Sequence, residues 1–111
     1  QRIAKRYMDE ITNSQFILPY VLEGTNPVWH IFAIRCEKRD ELAKYLSEAG
    51  ISTNKHYPIP MHMQGAYKDL NIPKGTLPIA EEISATELSL PMYYGMTDEE
   101  VEYVIEKLNQ F

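Results

Sequence analysis

Apolar positions recur along this chain with two periods, one helical and one extended. Ile3, Ala4, Tyr7, Met8 and Ile11 fall at helical spacing with Arg2, Lys5, Arg6, Asp9 and Glu10 opposite, which predicts a helix over residues 1–12. It is short and brings no N-cap, so it needs something to pack on or to continue from. Phe16 to Pro19 reads as a short extended piece and residues 23–27 as a turn. Residues 28–36 read as the strongest strand, with Val28, His30, Phe32, Ile34 and Cys36 on one face and Trp29, Ile31, Ala33 and Arg35 on the other. Apolar groups on both faces predict a strand covered on both sides.

Residues 39–49 predict a helix with Leu42, Tyr45, Leu46 and Ala49 inward and Gly50 just past its end. A second short strand follows over residues 51–55. Strand, helix and strand in that order imply a right-handed crossover between parallel strands. A helical turn is expected over residues 64–70, a loop over 71–75 and a helix over 78–85 opened by Pro78. Residues 87–90 form a third short strand, stopped by Pro91. Thr97 with Glu100 makes a capping box for a last helix whose stripe is Val101, Val104, Ile105 and Leu108. The predicted class is α/β (α+β): helices packed on a small, mainly three-stranded sheet, in one domain over residues 1–111.

Composition narrows the chemistry. A net charge of −5 and 24% charged residues disfavour nucleic acid or an anionic membrane as partners. No apolar run approaches the roughly 20 residues a membrane helix needs. A single cysteine, Cys36, makes no internal disulfide and suits a reducing compartment, so the expected location is the cytoplasm. The chain starts without Met and inside a helical pattern, which suggests a piece of something longer, with residues 1–14 leading in from a preceding domain.

Candidate chemistry gathers between Lys55 and Tyr67, which hold His56, His62, Tyr57, Pro58 and Pro60. The two prolines stiffen the segment, and stiff loops at strand ends hold polar groups in set directions. The pattern admits both a structural Pro-rich crossover and a ligand-facing loop. His56 and His62 lack the spacing of common zinc sites, and no metal is expected. His30, inside an apolar strand, is expected to be a hydrogen-bonded core residue. Scattered glycines give no phosphate-binding fingerprint, and Cys36 has no feature of a nucleophile.

Seven motifs in order carry a resemblance: Trp29-His30-x-Phe32, Arg39-Asp40-Glu41-Leu42, Gly50-Ile51-x-Thr53, His56-Tyr57-Pro58-x-Pro60-x-His62-x-Gln64, Leu77-Pro78-x-Ala80-Glu81, Leu88-Ser89-Leu90-Pro91 and Met96-Thr97-x-Glu99-Glu100-Val101. Together they resemble the C-terminal part of the DegT/DnrJ/EryC1/StrS family of aminotransferases, which use pyridoxal 5'-phosphate on nucleotide-linked keto sugars. The resemblance implies the small domain of the aspartate-aminotransferase type of fold (fold type I), beside a large domain outside this chain, in a homodimer. It implies substrate binding by His56 and Tyr57, with His62 and Gln64 as further candidates. It places the catalytic lysine and the cofactor site upstream, so no catalytic or cofactor-binding residue is expected here and Lys55 is not the cofactor lysine. The implied reaction converts a dTDP-3-keto-6-deoxyhexose to an amino sugar with glutamate as donor, for cell-surface polysaccharide or lipopolysaccharide biosynthesis. The alternatives are a stand-alone metabolite-binding or regulatory module, or a relative whose lysine is replaced.

Overall fold

A computed structural model of the chain describes residues 1–111. Its elements are α1 (Arg2–Glu10), β1 (Phe32–Arg35), α2 (Arg39–Glu48), α3 (Pro78–Thr86), β2 (Glu87–Leu90) and α4 (Asp98–Gln110), with two 3-10 turns at Met61–Met63 and Gly65–Leu70. No helix is long and apolar enough to cross a membrane.

The helix ends obey local chemistry. At the start of α4, Glu100 N–H donates to Thr97 Oγ1 at 3.2 Å and Thr97 N–H donates to Glu100 Oε2 at 2.8 Å, completing the capping box. At the end of α2, Gly50 N–H reaches Ser47 O and Ile51 N–H reaches Leu46 O, with Gly50 at φ +77°. A left-handed residue is needed there, and glycine supplies it without a Cβ clash. The helix therefore stops and sends Ile51 back onto Leu46, both of them buried.

β1 and β2 pair antiparallel in the register Phe32↔Leu90, Ala33↔Ser89, Ile34↔Leu88 and Arg35↔Glu87. Alternation puts Phe32, Ile34, Leu88 and Leu90 on one face. That face joins Ala4 and Tyr7 of α1, Leu42 and Leu46 of α2 and Val101, Val104, Ile105 and Leu108 of α4 in one core. Each fully buried Leu or Phe there contributes about 1.5–3 kcal/mol. The opposite face carries Ala33, Arg35, Glu87 and Ser89, and this polar face meets the loop after residue 54.

Three expectations change. The three-stranded sheet is a two-stranded ladder with one isolated bridge on each side, Ile17↔Arg35 and Asn54↔Ser89. Residues 51–55 run in the same direction as β1 but do not pair with it, because β2 lies between them. The ladder stays short for a local reason. Beyond Ile17 the next hydrogen-bonded partner is Pro19, and beyond Ser89 it is Pro91; neither has an N–H to give. On the other side of Asn54, the His56 N–H goes to the Glu87 carboxylate at 2.7 Å instead of to a backbone carbonyl.

The strand expected over 28–36 shrinks to Phe32–Arg35. Trp29 takes φ +52°, which no strand accommodates. That turn also overturns the core assignment of His30, which is exposed. On the other face of β1, Ala33 and Arg35 are half-buried.

Candidate functional site

β2 carries the base of the site. Its period-two alternation points Glu87 and Ser89 to the same side, and both are buried, at 4% and 5% exposure. Glu87 Oε2 accepts the His56 backbone N–H, and Glu87 Oε1 accepts the Ser89 hydroxyl proton. Ser89 Oγ lies 2.9 Å from His56 Nδ1, and Asn54 Nδ2 lies 3.1 Å from His56 Nε2. The imidazole is thus held at both nitrogens by groups from β2 and from the segment bridged to it. Tyr57 stands edge-on to it with ring centroids 5.6 Å apart, and is 70% exposed. The peptide joining the two residues is cis.

An open cleft of about 240 Å³ adjoins His56, lined by His30, Ser52, Thr53, Asn54, His56 and Ser89 among others. Its lining sets hydroxyls, an amide and imidazoles beside Ile31, Leu90, Pro91 and Met92, so it offers a ligand both hydrogen bonds and apolar contact.

His62 and Gln64, the further candidates, are turned to other partners. His62 is buried and its Nε2 lies 2.9 Å from Glu81 Oε1; the Gly75 N–H also donates to both Glu81 oxygens. Burial works against the charge on Glu81, but His62 and the amides of Gly75 and Leu77 outweigh it and hold the carboxyl below its usual range. The Gln64 amide donates to Ile59 O at 3.0 Å. Both side chains shape the loop in which His56 and Tyr57 stand, and His56 and His62 do not converge on a common point.

Two further groups brace the region. Arg39, buried at the start of α2, donates to the carbonyls of Ser84 and Glu87 at 3.1 Å, joining α2 to the α3–β2 junction. Asp40 beside it accepts from Lys55 Nζ at 2.5 Å and from Arg39 Nε at 2.8 Å, and Lys55 first, then Arg39, hold its carboxyl low. Lys55 thus ends at a largely exposed ion pair with Asp40. Burial pushes the Cys36 thiol up, away from a reactive thiolate.

Sequence reasoning missed Glu87, Ser89 and Asn54. A signal was present: Glu87 and Ser89 alternate with Leu88 and Leu90, the mark of a strand with one apolar face and one polar face.

The comparisons with known proteins agree on one family. The DegT/DnrJ/EryC1/StrS aminotransferase family matches residues 1–109. The dTDP-3-amino-3,6-dideoxy-alpha-D-galactopyranose transaminase of Aneurinibacillus thermoaerophilus is 39% identical over 111 residues, covering 100% of this chain and 30% of that protein. The erythromycin biosynthesis sensory transduction protein EryC1 of Saccharopolyspora erythraea is 38% identical over 96% of this chain and 29% of its own length. Among solved structures, DesV of S. venezuelae in complex with a ketimine intermediate superposes with a TM-score of 0.95 at 35% identity, over 98% of this chain and 30% of that one. The chain therefore spans about 30% of the length of these relatives. On a match that runs almost from end to end, the chain belongs to the DegT/DnrJ/EryC1/StrS aminotransferase family.

Proposed function

We propose that this chain is the C-terminal small domain of a pyridoxal-phosphate-dependent sugar-nucleotide aminotransferase, and that it holds the sugar of the substrate. The observation that carries the reading is the pair at the loop. His56 is anchored at both ring nitrogens beside an open cleft of mixed polar and apolar lining, and Tyr57 projects next to it into solvent. Orientation is the task such a pair performs, since a misplacement of about an ångström at a reacting carbon is costly. His62 and Gln64 contribute through the loop's shape.

The cofactor, when bound, supplies an electron sink for the exchange of amino and keto groups. The chain's span of about 30% of its relatives' length supports placing the cofactor's lysine in a large domain outside this chain. Relatives named as dTDP-amino-sugar transaminases support a dTDP-linked 3-keto-6-deoxyhexose as substrate. Glutamate as amino donor, a cytoplasmic homodimer and an amino sugar destined for surface polysaccharide complete the proposal.

A second reading has its own support: two relatives carry regulatory names, a sensory transduction protein and a pleiotropic regulatory protein. Borohydride reduction separates the two, because a transaminase fixes its cofactor to a lysine and a pure regulator has none to fix.

The role of the loop is tested in the full-length protein with His56→Ala and Tyr57→Phe. Each is expected to raise KM for the nucleotide sugar about tenfold, the loss of one well-made hydrogen bond, with the cofactor absorbance unchanged. Wild-type kinetics in both variants refute the assignment.

A further inference from the structure

The hydrogen bonds under His56 run in one direction, and that direction decides where the imidazole carries its proton. Glu87 as a carboxylate only accepts. Its Oε2 takes the His56 backbone N–H and its Oε1 takes the Ser89 hydroxyl proton. With its single proton spent, Ser89 Oγ can only accept from His56 Nδ1, 2.9 Å away. The other end of the ring agrees. Asn54 Oδ1 accepts the Lys55 N–H at 2.8 Å, which turns the Asn54 amide nitrogen, a donor, toward His56 Nε2 at 3.1 Å. A neutral ring with its proton on Nδ1 satisfies every partner; a proton on Nε2 sets donor against donor.

We propose that Glu87 and Ser89 are positioning residues that hold His56 in the Nδ1–H tautomer, so that Nε2 is presented to the ligand as an acceptor. Asn54 is exposed, and its amide is the donor that a ligand group displaces. The group His56 reads is then a proton donor, a hydroxyl of the sugar, and not a keto or phosphate oxygen. The ligand half of this inference rests on His56 facing the sugar; the tautomer does not.

Glu87→Gln reverses the polarity. The His56 N–H still requires an acceptor, so the oxygen of the introduced side-chain amide must stay there and its NH2 must face Ser89. Ser89 then donates to Nδ1, the ring proton moves to Nε2, and the exposed Asn54 amide, now donor against donor, turns off the ring into solvent. Asn54→Asp works from the opposite, exposed end, since a carboxylate beside Nε2 demands a proton on it. This second variant carries the test if the first does not accumulate.

The experiment is ring nitrogen-15 spectroscopy of the full-length protein with labelled histidine, alongside steady-state kinetics. Wild type is expected to show a protonated Nδ1 and a bare Nε2 at His56, and each variant a protonated Nε2. KM for the nucleotide sugar is expected to rise about three- to tenfold, with kcat moving less. A wild-type proton on Nε2, or the same tautomer in wild type and every variant that folds, overturns the inference. A reversed tautomer with KM unmoved overturns the claim that the ligand reads a bare Nε2, whereas a wild-type KM in His56→Ala is what removes His56 from the substrate site.

Discussion

Replacing Tyr7 by Phe tests how α1 is fastened to the strand that carries the site. Tyr7 is fully buried, its ring meets Phe32 edge-on at 5.1 Å, and its hydroxyl donates to Pro91 O at 2.8 Å. Pro91 directly follows β2, two residues beyond Ser89. Tyr7→Phe keeps the ring and leaves a half-buried carbonyl without its donor, a cost of about 1–2 kcal/mol. Tyr7→Ala removes the ring as well and costs about 3–5 kcal/mol. The difference of roughly 2–3 kcal/mol measures the ring's packing alone. Urea unfolding of the chain, followed by circular dichroism at constant m, reads both values.

A pH series adds an independent check. Burial, and then Tyr93, push the Tyr7 phenol above its ordinary range, with Arg6 opposing. A raised folded-state value means that its stabilising contribution is complete below the pKa of an unfolded tyrosine and is lost as pH climbs from there toward the folded value. Tyr7→Phe is therefore expected to remove part of the alkaline loss of stability. A Phe variant as stable as wild type at neutral pH refutes the role of the hydroxyl bond; an unchanged alkaline limb refutes the buried phenol.

Other perturbations address the ends and the loop. Thr97→Ala is expected to cost about 1 kcal/mol by breaking the capping box, while Thr97→Ser costs little; thermal or urea melts distinguish them. Glu81→Gln is expected to lower the urea midpoint at pH 7 and to flatten the fall in acid. The depressed carboxyl contributes above the pKa of an unfolded glutamate and loses that contribution as pH drops through its folded value. A midpoint–pH curve parallel to wild type refutes the His62–Glu81 clamp.

Whatever rests on near neighbours was legible in the chain itself. Thr97 and Glu100 are three residues apart, so the start of α4 follows from their chemistry alone. Gly50 ends α2 because only a few residues take its backbone angles, and Pro91 ends β2 because it has no proton to donate. The family, too, was legible, since ordered motifs survive without any knowledge of their spatial partners. The loop at His56 and Tyr57 stood out by composition, but its support did not.

Tertiary structure decided everything that needs two distant segments to meet. Residues 51–55 lie beside β2 and not beside β1, a choice that strand pattern leaves open because any edge with free N–H and C=O groups accepts a strand. Trp29 leaves the extended region, which exposes His30 although its neighbours are apolar. His62 turns to Glu81, 19 residues away, and so supports the loop from within. His56 finds Ser89 33 residues away, and through it Glu87. A histidine in a sequence is a ring with two possible places for its proton. The groups folded against its two nitrogens decide which of them holds it.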